Sequence, residues 1–204
     1  MPKPLAGENL SLPKPKHDGT VSVEHALQNR RSVRRYKNES LTLSEISQLL
    51  WAAQGITTPR GFRTAPSAGA LFPLELYVAA GNVSDLPAGI YKYNYREHTL
   101  AQSVSSDKRN ALSQAALNQR SIASAPAVFL ICAVYERVTR KYGQRGIQYA
   151  FMEIGHAAQN VCLQAVALGM GTVVIGAFRD DEVKKIAHLS EDEQATYIIA
   201  VGKQ

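Results

Sequence analysis

Ile147-Gln-Tyr-Ala-Phe-Met-Glu-Ile-Gly-His156-Ala-Ala-Gln-Asn-Val-Cys-Leu-Gln-Ala-Val-Ala-Leu168 is the stretch on which the fold turns. At about 100° per residue, Ile147, Ala150, Phe151, Ile154, Ala157, Ala158, Val161, Cys162, Ala165 and Leu168 share one broad apolar face. Tyr149, Glu153, His156, Asn160 and Gln164 form a narrow stripe opposite, with Met152 and Leu163 beside it. A surface helix would carry Lys, Arg and Glu along that stripe, and this one has only Glu153. The spacing therefore predicts a buried helix with more apolar surface than one small subunit covers, the excess being shared with a second subunit. Gly169-Met170-Gly171 ends the helix, and Thr172-Val-Val-Ile-Gly176 reads as a buried strand leaving it.

Outward from that helix, the 204 residues suffice for one ordinary domain, and no second hydrophobic pattern occurs. Hydrophobic content of 45% with 20% charged residues is that of a soluble globular chain. Residues 1–20, rich in Pro, Lys and Gly, are expected to form an extended arm, with 21–204 as the single domain. No run approaches the length of a membrane span, so no membrane partner is expected. Met1-Pro-Lys-Pro4 is not followed by the apolar core of a secretory signal, and the expected location is the cytoplasm. Cys132 and Cys162 sit in apolar surroundings, as small hydrophobes rather than as a disulfide or zinc pair.

Smaller elements follow from local signals. Val23 to Asn29 reads as a short helix with Val23, Ala26 and Leu27 inward. Thr42-Leu-Ser-Glu45 is a capping box, followed by an apolar stripe of Ile46, Leu49, Leu50 and Ala53. Residues 55–73 are a long loop of small residues, a length that usually serves function. Leu74 to Ala79 is a strand, and 90–93 and 99–102 form a hairpin. Asp107 should cap a helix through Leu117, and residues 127–134 make a central strand. Residues 135–146 are a charged excursion, Asp180 caps a helix to Ala187, and 196–201 is a closing strand. Hairpins mixed with helices predict an α+β fold.

The net charge of +6 suggests either an anionic partner or simple solubility, and it is concentrated in Arg30-Arg31-Ser32-Val33-Arg34-Arg35, which taken alone reads more readily as a solvated basic face than as an anion site. Nucleic acid is not supported, because zinc-finger spacing, an aromatic ribonucleoprotein pattern and a long basic helix are all missing. A compact phosphate needs only such a guanidinium cluster. Neither a P-loop nor a GxGxxG motif occurs, so Walker and Rossmann phosphate binding are unsupported. Pro66-Ser-Ala-Gly-Ala70 offers backbone amides almost without side chains, which suits either a flat ring or a tight turn. Gly171 to Phe178 could likewise present amides to a ligand, or simply end a strand. Glu153 and His156 lie one turn apart, but the further carboxylates of a di-iron site are missing, so a buried polar pair is expected and no metal. No nucleophile elbow or Cys–His pair is visible.

Taken in order, Arg30-Arg31-Ser32-Val33-Arg34, Arg63-Thr-Ala-Pro-Ser-Ala-Gly-Ala-Leu-Phe-Pro-Leu-Glu75, Glu153-x-Gly-His156-x-x-Gln159-Asn160 and Leu168-Gly-Met-Gly-Thr-Val-Val-Ile-Gly-Ala-Phe178 resemble the nitroreductase family. Within it they look most like the branch related to azoline (thiazoline and oxazoline) dehydrogenases, over roughly residues 20–203. The resemblance implies an α+β fold with a mixed, mainly antiparallel central sheet flanked by helices, in an intertwined homodimer whose two sites lie at the interface. It implies non-covalent FMN. Arg30, Arg31, Ser32 and Arg34 would meet the phosphate, ribityl chain and pyrimidine edge, with Lys203 reaching the phosphate. Pro66, Ser67, Ala68, Gly69 and Leu71 would come from the other subunit, and Val174, Ile175 and Gly176 would lie along the ring near N5. No protein side chain need act as catalyst, because the flavin carries the chemistry. The implied activity is NAD(P)H-dependent, ping-pong reduction of small nitro or quinone acceptors through N5. Two alternatives stand beside it. One is an azoline-type dehydrogenase that oxidises a ring or peptide substrate with oxygen as acceptor; the other is a non-catalytic flavin-binding or basic module. Azoline dehydrogenases use a Lys-Tyr pair before the central helix, and Lys141-Tyr142 supplies one by type, although its setting reads as a charged surface loop.

Overall fold

The two most apolar runs meet at the middle of the molecule. In a computed structural model describing residues 9–204, the run expected to be central becomes a fully buried strand, Ala127–Ala133, beside a second fully buried strand, Leu74–Ala80. In chain order the first half comprises β1 (Leu10–Ser11), α1 (Val23–Asn29), β2 (Leu41–Thr42), α2 (Leu43–Gln54), β3 (Leu74–Ala80), β4 (Val83–Ser84), β5 (Gly89–Asn94) and β6 (Thr99–Val104). The second half comprises α3 (Arg109–Ala115), α4 (Arg120–Ser124), β7 (Ala127–Ala133), α5 (Glu136–Tyr142), α6 (Arg145–Ala167), β8 (Met170–Ile175), α7 (Asp180–Ala187) and β9 (Gln194–Lys203).

Seven strands pair in the order β1-β6-β5-β3-β7-β9-β8, antiparallel at every step. Among the described residues, parallel pairing is confined to β2 with β4 and to one bridge between Ser32 and Thr172. The sheet divides two cores. Leu49, Leu50, Ile154, Ala157 and Val161 from α2 and α6 pack on one face with Leu76, Val78 and Phe129. Leu112, Ile122 and Val183 from α3, α4 and α7 pack on the other with Tyr77, Leu130 and Ile198. This is the α+β arrangement expected.

Local signals explain the helices. The capping box forms in both directions: the Glu45 amide donates to Thr42 Oγ1 at 3.2 Å, and the Thr42 amide donates to Glu45 Oε2 at 2.8 Å. In α7 the acids Asp180, Asp181 and Glu182 occupy the first turn and Lys184 and Lys185 the last, matching the macrodipole. Asp107 bonds the Arg109 amide at 3.0 Å, but α3 stops at Ala115 and a separate α4 follows. Of the expected N-terminal arm, residues 1–8 lie outside the described residues. Leu10–Ser11 joins the sheet edge beside β6, and His17 stacks on Trp51 at 5.2 Å between centroids.

Two expectations about burial need correction. Val23 and Leu27 face outward at 65% and 53% exposure, and Ala26 alone of α1 is buried. On α6, Phe151, expected on the apolar face, is 56% exposed; Met152, beside the polar stripe, is 53% exposed, and Glu153 of the expected buried pair is buried while His156 is not. The buried apolar strip is narrower than the sequence suggests, being made of Ala150, Ile154, Ala157, Ala158, Val161, Cys162 and Ala165. Small residues bring the helix close, so only those side chains fit under it. Glu153 is turned toward Gln54 of α2 instead, and the apolar surplus lies on the outer surface.

Ala158→Glu places a carboxylate in this packed strip and should lower unfolding stability by about 3 kcal/mol or more. Urea melts check this; an unchanged midpoint would mean that this face of α6 is not packed as described.

Candidate active site

The arginine-rich segment is fastened along the free edge of β8. Ser32 bridges Thr172, and the Val33 amide donates to the Thr172 carbonyl at 2.8 Å. Val33 lies on Gly171, where a Cβ would sit 2.6 Å from the valine Cβ. The Tyr36 ring lies on Gly202, where a Cβ would come within 2.6 Å of the ring. Its hydroxyl lies 2.9 Å from the Val33 carbonyl and 3.2 Å from that of Ala200. The Lys37 amide then donates to the Lys203 carbonyl at 3.0 Å. Bare glycine backbone on β8 and β9 is what lets this segment dock so closely.

The docking fixes where the cations go. Arg31 donates to the carbonyls of Gln28 and Arg30 at 2.8 and 2.9 Å, so it braces its own backbone. Arg30 is half-buried near Cys162; burial pushes that thiol up and the Arg30 charge pulls against it. Lys203 reaches the same corner, but its ammonium pairs with the Glu45 carboxylate. Among the described residues Arg30 and Arg34 pair with no carboxylate. Val174, Ile175 and Gly176 form the outgoing end of β8, where Gly176 is exposed and only the Tyr197 ring would meet a Cβ. Two guanidiniums without counter-charge, beside backbone with no side chain in the way, fit the phosphate and the flat ring of FMN.

The small-residue loop is held in a strained shape by long-range contacts. Gly69, Ala70 and Phe72 have φ of 62°, 55° and 47°. For the two non-glycine residues this costs on the order of 1–2 kcal/mol each, and such backbone persists only when its surroundings over-determine it. Ser67 Oγ accepts from the Phe72 amide at 2.9 Å. Arg63 lies between the rings of Phe72 and Tyr95, 4.1 and 3.5 Å from their centroids, and donates to Gln54 Oε1 at 2.7 Å. Arg137 of α5 donates to the Phe72 carbonyl at 3.1 Å and to Glu75 Oε1 at 2.5 Å. Sequence reasoning missed both arginines, because partners 9 to 65 residues away leave no local pattern.

Through α5 the loop also acquires a roof. A Cβ on Gly69 would lie 2.6 Å from the Tyr142 hydroxyl and 3.0 Å from Lys141 Nζ, so Lys141-Tyr142 packs on this glycine. Tyr142 stands edge-on to Tyr149 at 5.1 Å. The setting that read as a charged surface loop is a helix seated on the candidate site. Beneath the loop, a cleft of about 290 Å³ is lined by Pro66, Ser67, Ala68, Tyr149, Met152 and Glu153. Burial pushes the Glu153 carboxyl up to about 7, with Ser67, Arg63 and Gln54 pulling the other way. His156 is exposed, and no cluster of metal-ligating side chains occurs among the described residues.

The structure thus strings Arg30, Arg31, Ser32, Arg34, Val174, Ile175, Gly176 and Lys203 along the β8 edge, with Lys203 opposite Met170 at one end and Gly176 past Ile175 at the other, and sets Pro66, Ser67, Ala68, Gly69 and Leu71 apart from them in the small-residue loop. Arg30 lies by Cys162 and Ser67 by Glu153, nine residues apart on α6, or about 14 Å along its axis.

Comparison with known proteins bears on the family and the fold. The model of the nitroreductase family matches residues 27–203. A provisionally named nitroreductase of Methanocaldococcus jannaschii is 48% identical over 171 residues, covering 84% of this chain and 86% of that protein. The microcin B17-processing protein McbC of Escherichia coli is 27% identical over 165 residues, which are 78% of this chain and 61% of McbC. The crystal structure of a provisionally named nitroreductase from Ralstonia eutropha JMP134 superposes with a TM-score of 0.85 at 26% identity, covering 98% of this chain and 91% of that one.

Because its carboxyl is raised from 4.5 to about 7, Glu153 binds its proton more tightly in the folded state, and its contribution to stability falls as pH rises through that window. Glu153→Gln should therefore gain on the wild type between pH 5 and pH 8, by on the order of 2 kcal/mol. Thermal melts across that range check it, and a pH-independent difference would contradict it.

Proposed function

The chain belongs to the nitroreductase family, and from that premise we propose that it is an FMN-dependent oxidoreductase working as a homodimer. The observation that carries the reading is the pair of guanidiniums, Arg30 and Arg34, held without carboxylate partners among the described residues on the β8 edge, where Ser32 bridges Thr172. Bound FMN supplies acceptance and release of a hydride at N5. The remaining work falls to this chain's residues. Arg30 takes the phosphate, Ser32 the ribityl chain and Arg34 the pyrimidine edge, where positive charge favours the anionic reduced ring. Lys203, spent on Glu45, adds to the field of the corner rather than contacting the phosphate first. Val174, Ile175 and Gly176 present backbone along the ring. Pro66, Ser67, Ala68, Gly69 and Leu71 come from the second copy, as the family resemblance implies, beside a ring that spans the interface. The exposed Phe151 and Met152 of α6 and Val23 and Leu27 of α1 supply the apolar surface for that association.

The donor in the first reading is NAD(P)H and the acceptor a small nitro or quinone compound. A second reading, oxidation of an azoline-type ring or peptide, gains from the position of Lys141-Tyr142 on Gly69 and from the likeness to McbC. McbC is a processing protein of which this chain spans 61%, so its role is not transferred whole.

Purified protein should be yellow, with about one FMN per chain, and Arg30→Ala should weaken FMN by about tenfold or more. Anaerobic NADH or NADPH should bleach the flavin. Yellow protein that neither nicotinamide bleaches would favour the substrate-fed dehydrogenase, and protein that cannot be loaded with FMN would overturn both readings.

A further inference from the structure

Glu153 is 2% exposed and joins no ion pair among the described residues. Its surroundings form a closed circuit with the small-residue loop. From α2, Gln54 Nε2 donates to Glu153 Oε1 at 3.4 Å while Gln54 Oε1 accepts from Arg63 at 2.7 Å, so one buried amide stands between the acid and that guanidinium. From the loop, the Ser67 hydroxyl favours the charged carboxylate, and its oxygen accepts from the Phe72 amide at 2.9 Å. The Phe72 ring completes the circuit 4.1 Å from Arg63, behind which stand Tyr95, Glu75 and Arg137. On α6 itself Tyr149 and His156 line the adjoining cleft, and on α5 Lys141 and Tyr142 sit over Gly69.

We propose that Glu153 is a proton-operated latch on residues 66–72, which cover its carboxyl while that group is neutral and lift from it when it ionises. Through the loop, Glu153 is a positioning residue for the ring site. That consequence rests on the flavin reading; the latch itself does not require it.

The sign follows from burial. Taking a carboxylate out of water is costly, and burial pushes this carboxyl up to about 7 against the pull of Ser67, Arg63 and Gln54. Lifting the loop admits water and returns the group toward its ordinary 4.5. The closed loop therefore holds the proton more tightly than the open one. Opening becomes easier as pH rises between those two values, by at most about tenfold per unit, and levels off above the higher one. The loop has a reason to move, since Ala70 and Phe72 hold φ of 55° and 47°, backbone that relaxes once its surroundings let go. The cleft of about 290 Å³ that Ser67 and Glu153 share gives water its way in.

Amide exchange of the flavin-free full chain from pH 5 to pH 8, corrected for the intrinsic rate, reads the latch at Ala70, Leu71 and Phe72. Their amides bond the Ser67 carbonyl, the Ala68 carbonyl and Ser67 Oγ. In the wild type their opening should grow by on the order of 30- to 100-fold up to pH 7 and then level off, well beyond any change in 109–116. Glu153→Gln, neutral at every pH, should abolish that dependence. Ser67→Ala removes a group that favours the charged form, so its plateau should begin at higher pH, a shift that reads the latch even where the glutamine variant fails to fold. Imidazoles titrate in the same range, so His156→Gln serves as a control and should keep the wild-type profile. In FMN-loaded protein, release of FMN should accelerate over the same window in the wild type and not in Glu153→Gln. A flat wild-type profile, one that survives Glu153→Gln, one lost in His156→Gln, or an equal change in 109–116 would overturn the proposal. The predicted exchange in a chain that binds no FMN would sink the flavin reading and leave the latch standing. FMN released at one rate while the loop opens would remove Glu153 from the positioning of the ring.

Discussion

The docking of residues 30–37 onto the bare backbone of Gly171 and Gly202 is the constraint on which the site depends. A Cβ at either glycine would overlap Val33 or the Tyr36 ring. Without that contact the Ser32–Thr172 bridge has nothing behind it, and the arginines become a solvated run with no common aim. With it, an edge strand that would otherwise expose unpaired amides is covered, and the cover itself carries the cations. A structural problem of the sheet and a chemical need of the site are met by the same eight residues.

Helix α6 organises the rest. Its small residues let it lie close on the sheet, and its outer side is left apolar where a second copy is proposed. Between those sides Glu153 points into the protein, next to a loop whose backbone is strained at Ala70 and Phe72. The strain is held by Arg63 between two rings and by Arg137 on a carbonyl. Glu75, which pairs with Arg137, also pairs with Lys92 at 3.2 Å, so the loop is tied through α5 into the sheet.

Much of this was legible in the residues themselves. The period of α6, the capping box at Thr42 and the apolar runs of β3 and β7 are local patterns, and each gave the right element. The phase of α6 was less legible. Phe151 falls on the apolar arc by spacing alone, but the buried strip narrows where alanines set the approach, and no count of apolar residues reveals that. Val23 and Leu27 erred the same way, for a helix whose inner face is one alanine. Lys141-Tyr142 looked like surface because its neighbours are charged, and only the position of Gly69 shows otherwise. Arg63 opens one of the family stretches without showing its role there and Arg137 carries no motif, since the meaning of both lies in partners distant in sequence.

The central claim is that the corner at Arg30–Arg34 and the loop around Gly69 close on one FMN. Amide hydrogen exchange of the protein with and without FMN tests it most directly. The account predicts added protection in 30–37, 66–72 and 174–178, with little change in 109–116 and 180–187. Unchanged exchange in 30–37 on saturation with FMN would contradict it.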